Sequence, residues 1–274
     1  MGKMKGWRTR CGGFFKYQKK ERMTKTMKIL MAGESWSLTE THTKGFDSVP
    51  LCRYEEAGTP LIDALKHNGF EVTYMPNHIA QLHFPDTAQQ LKEYDAVILS
   101  DCGSNTLLLH PQTFKGVRRG NRLLALCEYV EQGGGLFMCG GYLSFSGVAN
   151  KARYGMTPLA KVLPVEVLNY DDRMEYPEGV TPTMQDASHP VLQGVAPEWP
   201  HFLGYNKIKA KPQAQLIATI GDGDTFMAGM EYGKGRSFAF ASDCVEHWGS
   251  PEFVAWESYP TLFGNILRWV ARAI

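Results

Sequence analysis

The sequence predicts a doubly wound α/β fold, a mostly parallel sheet extended by antiparallel strands in its C-terminal half. Three observations carry this. Short apolar runs end in glycine or polar loops, amphipathic helical stretches alternate with them, and after residue 200 the strand-like segments follow one another across tight Gly/Asp turns.

The first run, Met27–Gly33 (MKILMAG), has the length and flanks of a buried strand. The Ser/Thr-rich stretch that follows, to about Arg53, reads as a polar loop. Pro60 to Asn68 is helical, with Leu61, Ile62 and Leu65 on one face and Asn68-Gly69 as its stop. Phe70–Met75 is the second strand, Ala88–Glu93 a short helix, and Asp95–Ser100 (DAVILS) the third strand. The third strand is apolar throughout, as expected for a strand covered on both sheet faces. Asn121–Gln132 is an amphipathic helix closed by three glycines, and Leu136–Cys139 is the fourth strand. Right-handed crossovers then fix most of the parallel topology.

The second half changes character. Val165–Leu168, Asn206–Lys211, Gln215–Ile220, Thr225–Tyr232 and Arg236–Ala241 read as strands. The connections Gly221–Asp224 and Gly233–Gly235 are too short for anything but antiparallel hairpins. Ser237–Ala241 returns to the core as its last strand, and Pro260–Ala273 closes the chain as a helix with Leu262, Phe263, Ile266, Leu267, Trp269 and Val270 on its inner side.

The 274 residues carry a net charge of +1, which gives no electrostatic case for nucleic acid or a membrane surface. The charge is unevenly placed. Residues 1–26 hold nine Lys/Arg against one acid, Glu21, which leaves a body of about −7. This arm lacks the apolar run of a signal peptide and reads as basic, disordered chain, with residues 27–274 as the folded domain. No stretch reaches the roughly 18 apolar residues of a membrane span. The six cysteines show no CxxC and no metal-ligand spacing, which points to reduced thiols in a cytoplasmic protein without metal or cofactor. No G-x-G-x-x-G follows the first strand and no Walker lysine is present.

In open α/β sheets ligands bind beyond the carboxyl ends of the strands. Those ends are legible here. Glu34, Ser35 and Trp36 follow the first strand, and Asp101, Cys102, Gly103, Ser104 and Asn105 the third. Gly140, Gly141, Tyr142 and Ser144 follow the fourth, and Asp243, Cys244, Glu246, His247 and Trp248 the last. Together they make a candidate crevice for a small molecule, with Trp36, Tyr142 and Trp248 as aromatic walls.

Two thiols are candidate nucleophiles, Cys139 and Cys102, with His247 as base and Asp243 or Glu246 orienting it. The strand that stops in Gly140-Gly141 has the outline of a nucleophile elbow. Such a turn needs small residues two positions either side of its apex. With Cys139 at the apex Gly141 fits, but Phe137 does not. Moving the register by two puts Gly141 at the apex, where there is no nucleophile.

Four segments in order, Val97–Asn105 (VILSDCGSN), Gly133–Gly147 (GGGLFMCGGYLSFSG), Ser188–Gly194 (SHPVLQG) and Ser242–Gly249 (SDCVEHWG), are joined by the closing Trp256, Tyr259 and Leu267-Arg268-Trp269. With these the chain resembles the class I glutamine amidotransferase-like proteins, with trehalose-utilisation-type proteins as distant relatives. The resemblance covers about residues 27–273. It implies a flavodoxin-like sheet and a homo-oligomer. True class I amidotransferases carry Gly-x-Cys-x-Gly at the elbow and a later His-x-Glu. Here the elbow reads Met138-Cys139-Gly140-Gly141-Tyr142, and His247 is followed by Trp248-Gly249. The resemblance therefore implies a degenerate glutaminase site that binds or hydrolyses a small polar metabolite, or alternatively a non-catalytic binding or structural subunit.

Overall fold

A computed structural model describes residues 1–2 and 26–274. The expectation for the basic arm falls on residues that lie, apart from its ends, outside the described ones. The first strand, β1, is Lys28–Gly33, buried from Ile29 onward. It is followed by β2 (Ser35–Lys44) and β3 (Asp47–Glu56), then α1 (Thr59–His67), β4 (Glu71–Met75), α2 (Asn77–His83), α3 (Ala88–Leu91) and β5 (Ala96–Ser100). Next come α4 (Ser104–Leu108), α5 (Arg122–Glu131) and β6 (Gly135–Cys139). The remaining strands are β7 (Val165–Glu166), β8 (Arg173–Val180), β9 (Thr183–Met184), β10 (Phe202–Asn206), β11 (Lys209–Ala210), β12 (Gln215–Ile220), β13 (Asp224–Tyr232) and β14 (Gly235–Phe240). The helices α6 (Pro251–Val254) and α7 (Tyr259–Val270) close the chain.

One eight-stranded sheet runs β4-β1-β5-β6-β14-β13-β12-β9. β4, β1, β5, β6 and β14 pair in parallel, and β13, β12 and β9 add an antiparallel edge. This is a flavodoxin-like α/β architecture. The expected return of the chain to the core is observed: Arg236–Phe240 lies beside Gly135–Cys139 in parallel register. β5 and β6 are buried at every residue, because helices cover both sheet faces. On one side α1 and α7 pack together; α2 to α5 form the other layer.

The local chemistry explains the elements. Asn121 caps α5 by accepting from the N–H groups of Leu123 and Leu124. α7 buries Leu262, Phe263, Ile266, Leu267 and Val270 against the sheet. Truncating one of these leucines to alanine is expected to cost roughly 2–5 kcal/mol.

The sequence reading misplaced several segments. Ser35–Glu56 is a β-hairpin, not a loop, with Lys44 paired to Asp47 across Gly45-Phe46. Gly45 has φ +63, as the first residue of a two-residue hairpin turn requires. Its apolar alternation is weak because both faces are exposed. α2, α4 and β8 carry no clear signal in the sequence, being short or largely polar. The strand expected at Asn206–Lys211 is two, β10 and β11, each with a different partner. No helix among the described residues is long and apolar enough to cross a membrane.

Candidate functional site

The carboxyl ends of β1, β5, β6 and β14 surround a cleft of about 700 Å³. Of the expected residues, Glu34, Trp36, Asp101, Tyr142, Asp243 and His247 line it, together with Glu246. Ser37, Leu38, Leu143, Val148, Lys151 and Val245 complete the lining.

Asp243 is 4 % exposed and anchors the far wall. Its Oδ2 accepts from Nδ1–H of His247 at 2.9 Å and from the backbone N–H of Trp248 at 3.1 Å. His247 is half-exposed, with φ +147. Its hydrogen bond to Asp243 raises its pKa, against the opposing effect of burial. With Nδ1 committed to Asp243, Nε2 is the nitrogen left for exchange with a ligand or water. The imidazole lies edge-on to Tyr142 at 4.6 Å and stacks on Trp248 at 5.6 Å.

Two further carboxylates are forced into the site by backbone bends, Glu34 at φ +46 and Asp101 at φ +44. Glu34 is 2 % exposed. Its Oε1 accepts from the Ser100 hydroxyl at 2.5 Å and from the Cys244 thiol at 3.6 Å. Burial, and then the charges of Asp101 and Asp243, push its carboxyl up to about 8. Burial and Asp243 likewise raise Asp101 to about 6, while the Leu143 N–H on its Oδ1 at 2.6 Å partly offsets the shift. Glu34 and Asp101 thus share one rim with Asp243, and like charges gathered there disfavour ionisation of the first two.

The turn after β6 bends at a glycine. Gly141 has φ +133, and a β-carbon there would lie 2.7 Å from Asp243 Oδ1 and 2.9 Å from Asp101 Oδ1. The carboxylates occupy the space that a nucleophile's side chain would need. Asn206 fixes this turn, accepting from Gly141 N–H at 2.9 Å while its amide donates to Asp172 at 2.8 Å.

The two candidate thiols stand outside the lining. Cys139 is fully buried at the end of β6. Cys102 is 1 % exposed, and burial followed by the Asp101 charge pushes it up to about 12. Cys102 is therefore not poised as a thiolate. Gly103, Ser104 and Asn105 open α4 rather than the cleft. Gly140 is buried backbone. Ser144 is buried, donating to Gly140 O and accepting from Asp101 N–H. Ser35 accepts from Asn77 N–H at 2.7 Å and lines a smaller neighbouring pocket. Trp248, 1 % exposed, supports the wall from behind.

One participant escaped the sequence reading. Glu175, on β8, accepts from the Tyr142 hydroxyl at 3.1 Å and from Trp248 Nε1 at 2.9 Å, so it ties both aromatics together. Arg173 on the same strand stacks over Tyr142 at 4.9 Å. A strand of this polarity carries no apolar period that would have marked it. Among the described residues, no group of three or more His, Cys, Asp and Glu is arranged to hold a metal ion.

A family model described as "Putative glutamine amidotransferase" matches residues 28–272, nearly the whole described domain. The chain belongs to this glutamine amidotransferase-like family. Two solved structures cover 89 % of it and 99 % of their own chains. Cytoplasmic Protein STM3548 from Salmonella typhimurium is 42 % identical with a TM-score of 0.86. Cytoplasmic Protein STM1381 from Salmonella typhimurium LT2 is 46 % identical with a TM-score of 0.85. A ThuA-like protein from Parabacteroides merdae shares the fold alone, at 12 % identity, 91 % coverage of each chain and a TM-score of 0.53. No match was found among curated proteins.

Proposed function

We propose that this amidotransferase-like chain works without a glutaminase thiol. Its cleft binds a small polar metabolite and hydrolyses it through an activated water, in the cytoplasm. The observation that carries the reading is the His247–Asp243 pair, 2.9 Å apart, opening on a cleft whose elbow is glycine.

In this scheme Asp243 orients the imidazole and His247 Nε2 takes a proton from water. Glu34, with its carboxyl raised to about 8, holds a proton at neutral pH and delivers it to the departing group. Environments that separate the protonation states of neighbouring groups in this way assign acid and base roles. Trp36 and Tyr142 supply apolar walls for the body of the ligand.

The test is a thermal-shift screen of small polar metabolites, glutamine and other amides included, followed by product analysis for each stabilising compound. Turnover is expected to survive in the Cys102→Ala/Cys139→Ala double variant and to vanish in His247→Ala. Loss of turnover in the double-cysteine variant, or turnover that survives in His247→Ala, would overturn the reading.

A second reading is a binding module without turnover. It is favoured by the apolar share of the lining, Leu38, Leu143, Val148 and Val245 beside the two aromatics. It predicts a ligand that stabilises the fold and is recovered unchanged.

A further inference from the structure

The hairpin of β2 and β3 has more surface than its own pairing accounts for. Among the described residues the two strands pair with each other over ten residue pairs and with no other strand. Every residue from Thr39 to Tyr54 is exposed, Phe46, Val49 and Leu51 among them. A two-stranded hairpin standing alone is marginal in water, and its free edges invite pairing.

The two edges are not equivalent. Pro50 in β3 lies opposite Thr41 in β2. Proline has no N–H, so within a ladder it fits where its nitrogen faces away from the partner strand. Thr41 and Pro50 are then a pair without mutual hydrogen bonds, and the N–H and C=O of Thr41 also face outward. Thr39 and Thr43, two residues either side, point the same way. The open edge of β2 is therefore an unbroken row of threonine backbone, whereas Pro50 interrupts the open edge of β3.

We propose that β2 is a self-association edge: two copies of this chain pair antiparallel through β2 about a two-fold axis at Thr41, forming a four-stranded sheet. Charge selects the register. With Thr41 opposite Thr41 of the partner subunit, Thr39 meets Thr43 of the partner subunit and Glu40 meets His42 of the partner subunit. Sliding the strands by two residues in one direction sets Glu40 against Glu40 of the partner subunit. Sliding them in the other sets His42 against His42 of the partner subunit. Both slips lose the acid–imidazole pairs, and the first also sets two carboxylates directly opposite, which is unfavourable. The interface is isologous, and Pro50 on each outer edge stops further strand addition, so the assembly closes as a dimer instead of growing. The base of β2 carries Trp36 and Leu38 into the cleft, so the pairing also steadies one cleft wall.

The test is the molar mass of the full chain by light scattering and sedimentation equilibrium at micromolar concentration. The unaltered chain is expected at twice the mass of one chain, and Thr41→Pro at the mass of one. Glu40 also pairs with Arg53 within the hairpin at 2.8 Å, so a charge reversal alone acts inside the chain as well. Mixing separates the two effects. Glu40→Lys and His42→Glu are each expected to be monomeric, since the first loses the acid facing His42 of the partner subunit and the second sets two carboxylates opposite each other. Their equimolar mixture is expected to regain the dimer mass, because only the mixed pair is complementary. A monomeric unaltered chain, a dimeric Thr41→Pro variant, or a mixture that stays monomeric would overturn the proposal. None of these outcomes bears on the chemistry of the cleft.

Discussion

Asp243 Oδ1 lies 2.7 Å from the point that a β-carbon on Gly141 would occupy. That approach links the bend after β6 to the acids of the cleft. The turn bends at Gly141, and carboxylates fill the space that a side chain there would take. A thiol placed at this position would meet Asp243 and Asp101 first.

Gly141→Ala tests this crowding. The backbone at φ +133 alone costs a residue with a β-carbon about 1–3 kcal/mol, and the carboxylate contacts add to that. The urea midpoint is expected to fall while the slope of the transition is unchanged, since the exposed surface on unfolding is the same. A midpoint equal to that of the unaltered protein would mean that the turn yields freely and that the apex could accept a side chain.

Thiol labelling under native conditions tests the burial of the cysteines. Cys52 lies exposed on the hairpin, whereas Cys102, Cys139 and Cys244 are buried. Alkylation followed by peptide mapping is expected to modify Cys52 quickly. The three buried thiols should react only after denaturant is added. Rapid native labelling of Cys102 or Cys139 would show access to the cleft and return a thiol mechanism to consideration.

Much of this geometry was legible in the chain. Runs such as Ala96–Ser100 and Gly135–Cys139 are apolar at successive positions because both sheet faces are covered, so the strands and their polar trailing residues could be read together. Glu34, Asp101, Tyr142, Asp243 and His247 follow from strand ends alone. What was not legible depends on contacts far apart in sequence. Glu175 is an exposed polar residue on a polar strand until the fold sets it against Tyr142 and Trp248. Leu38 lies in a hairpin whose exposed faces leave no apolar period to detect. The sealing of Cys102 and Cys139 arises from packing around the strand ends, which residue spacing does not encode.

Asp243→Asn tests the orienting role of that carboxylate. The hydrogen bond from His247 is the largest cause of the raised imidazole pKa, and burial works against it. Removing the negative charge takes away the largest raising influence, leaving the weaker charges of Glu175 and Asp101 against burial, so the pKa is expected to fall. The ring-proton chemical shifts of His247, followed by NMR across pH, read this directly. An unchanged titration would mean that Asp243 does not control the imidazole.

The acids of the cleft also give stability a distinctive pH dependence. Glu34 is raised from 4.5 to about 8 in the folded protein. Between those values the folded chain holds a proton that the unfolded chain has released. Stability therefore falls as pH rises through that window, the reverse of the behaviour of a salt-bridged carboxylate. The raised pKa of His247 acts in the same direction: its contribution is complete below the unfolded value near 6.5 and is lost as pH climbs through the folded one. Glu34→Gln cannot ionise, so its melting temperature is expected to match that of the unaltered protein near pH 4.5 and to exceed it at pH 8. The gap should open progressively, at roughly 2–4 °C for each kcal/mol relieved in a domain of this size. Parallel melting curves across the whole range would mean that Glu34 ionises in the fold as readily as in water, and would remove it as the proton donor of the cleft.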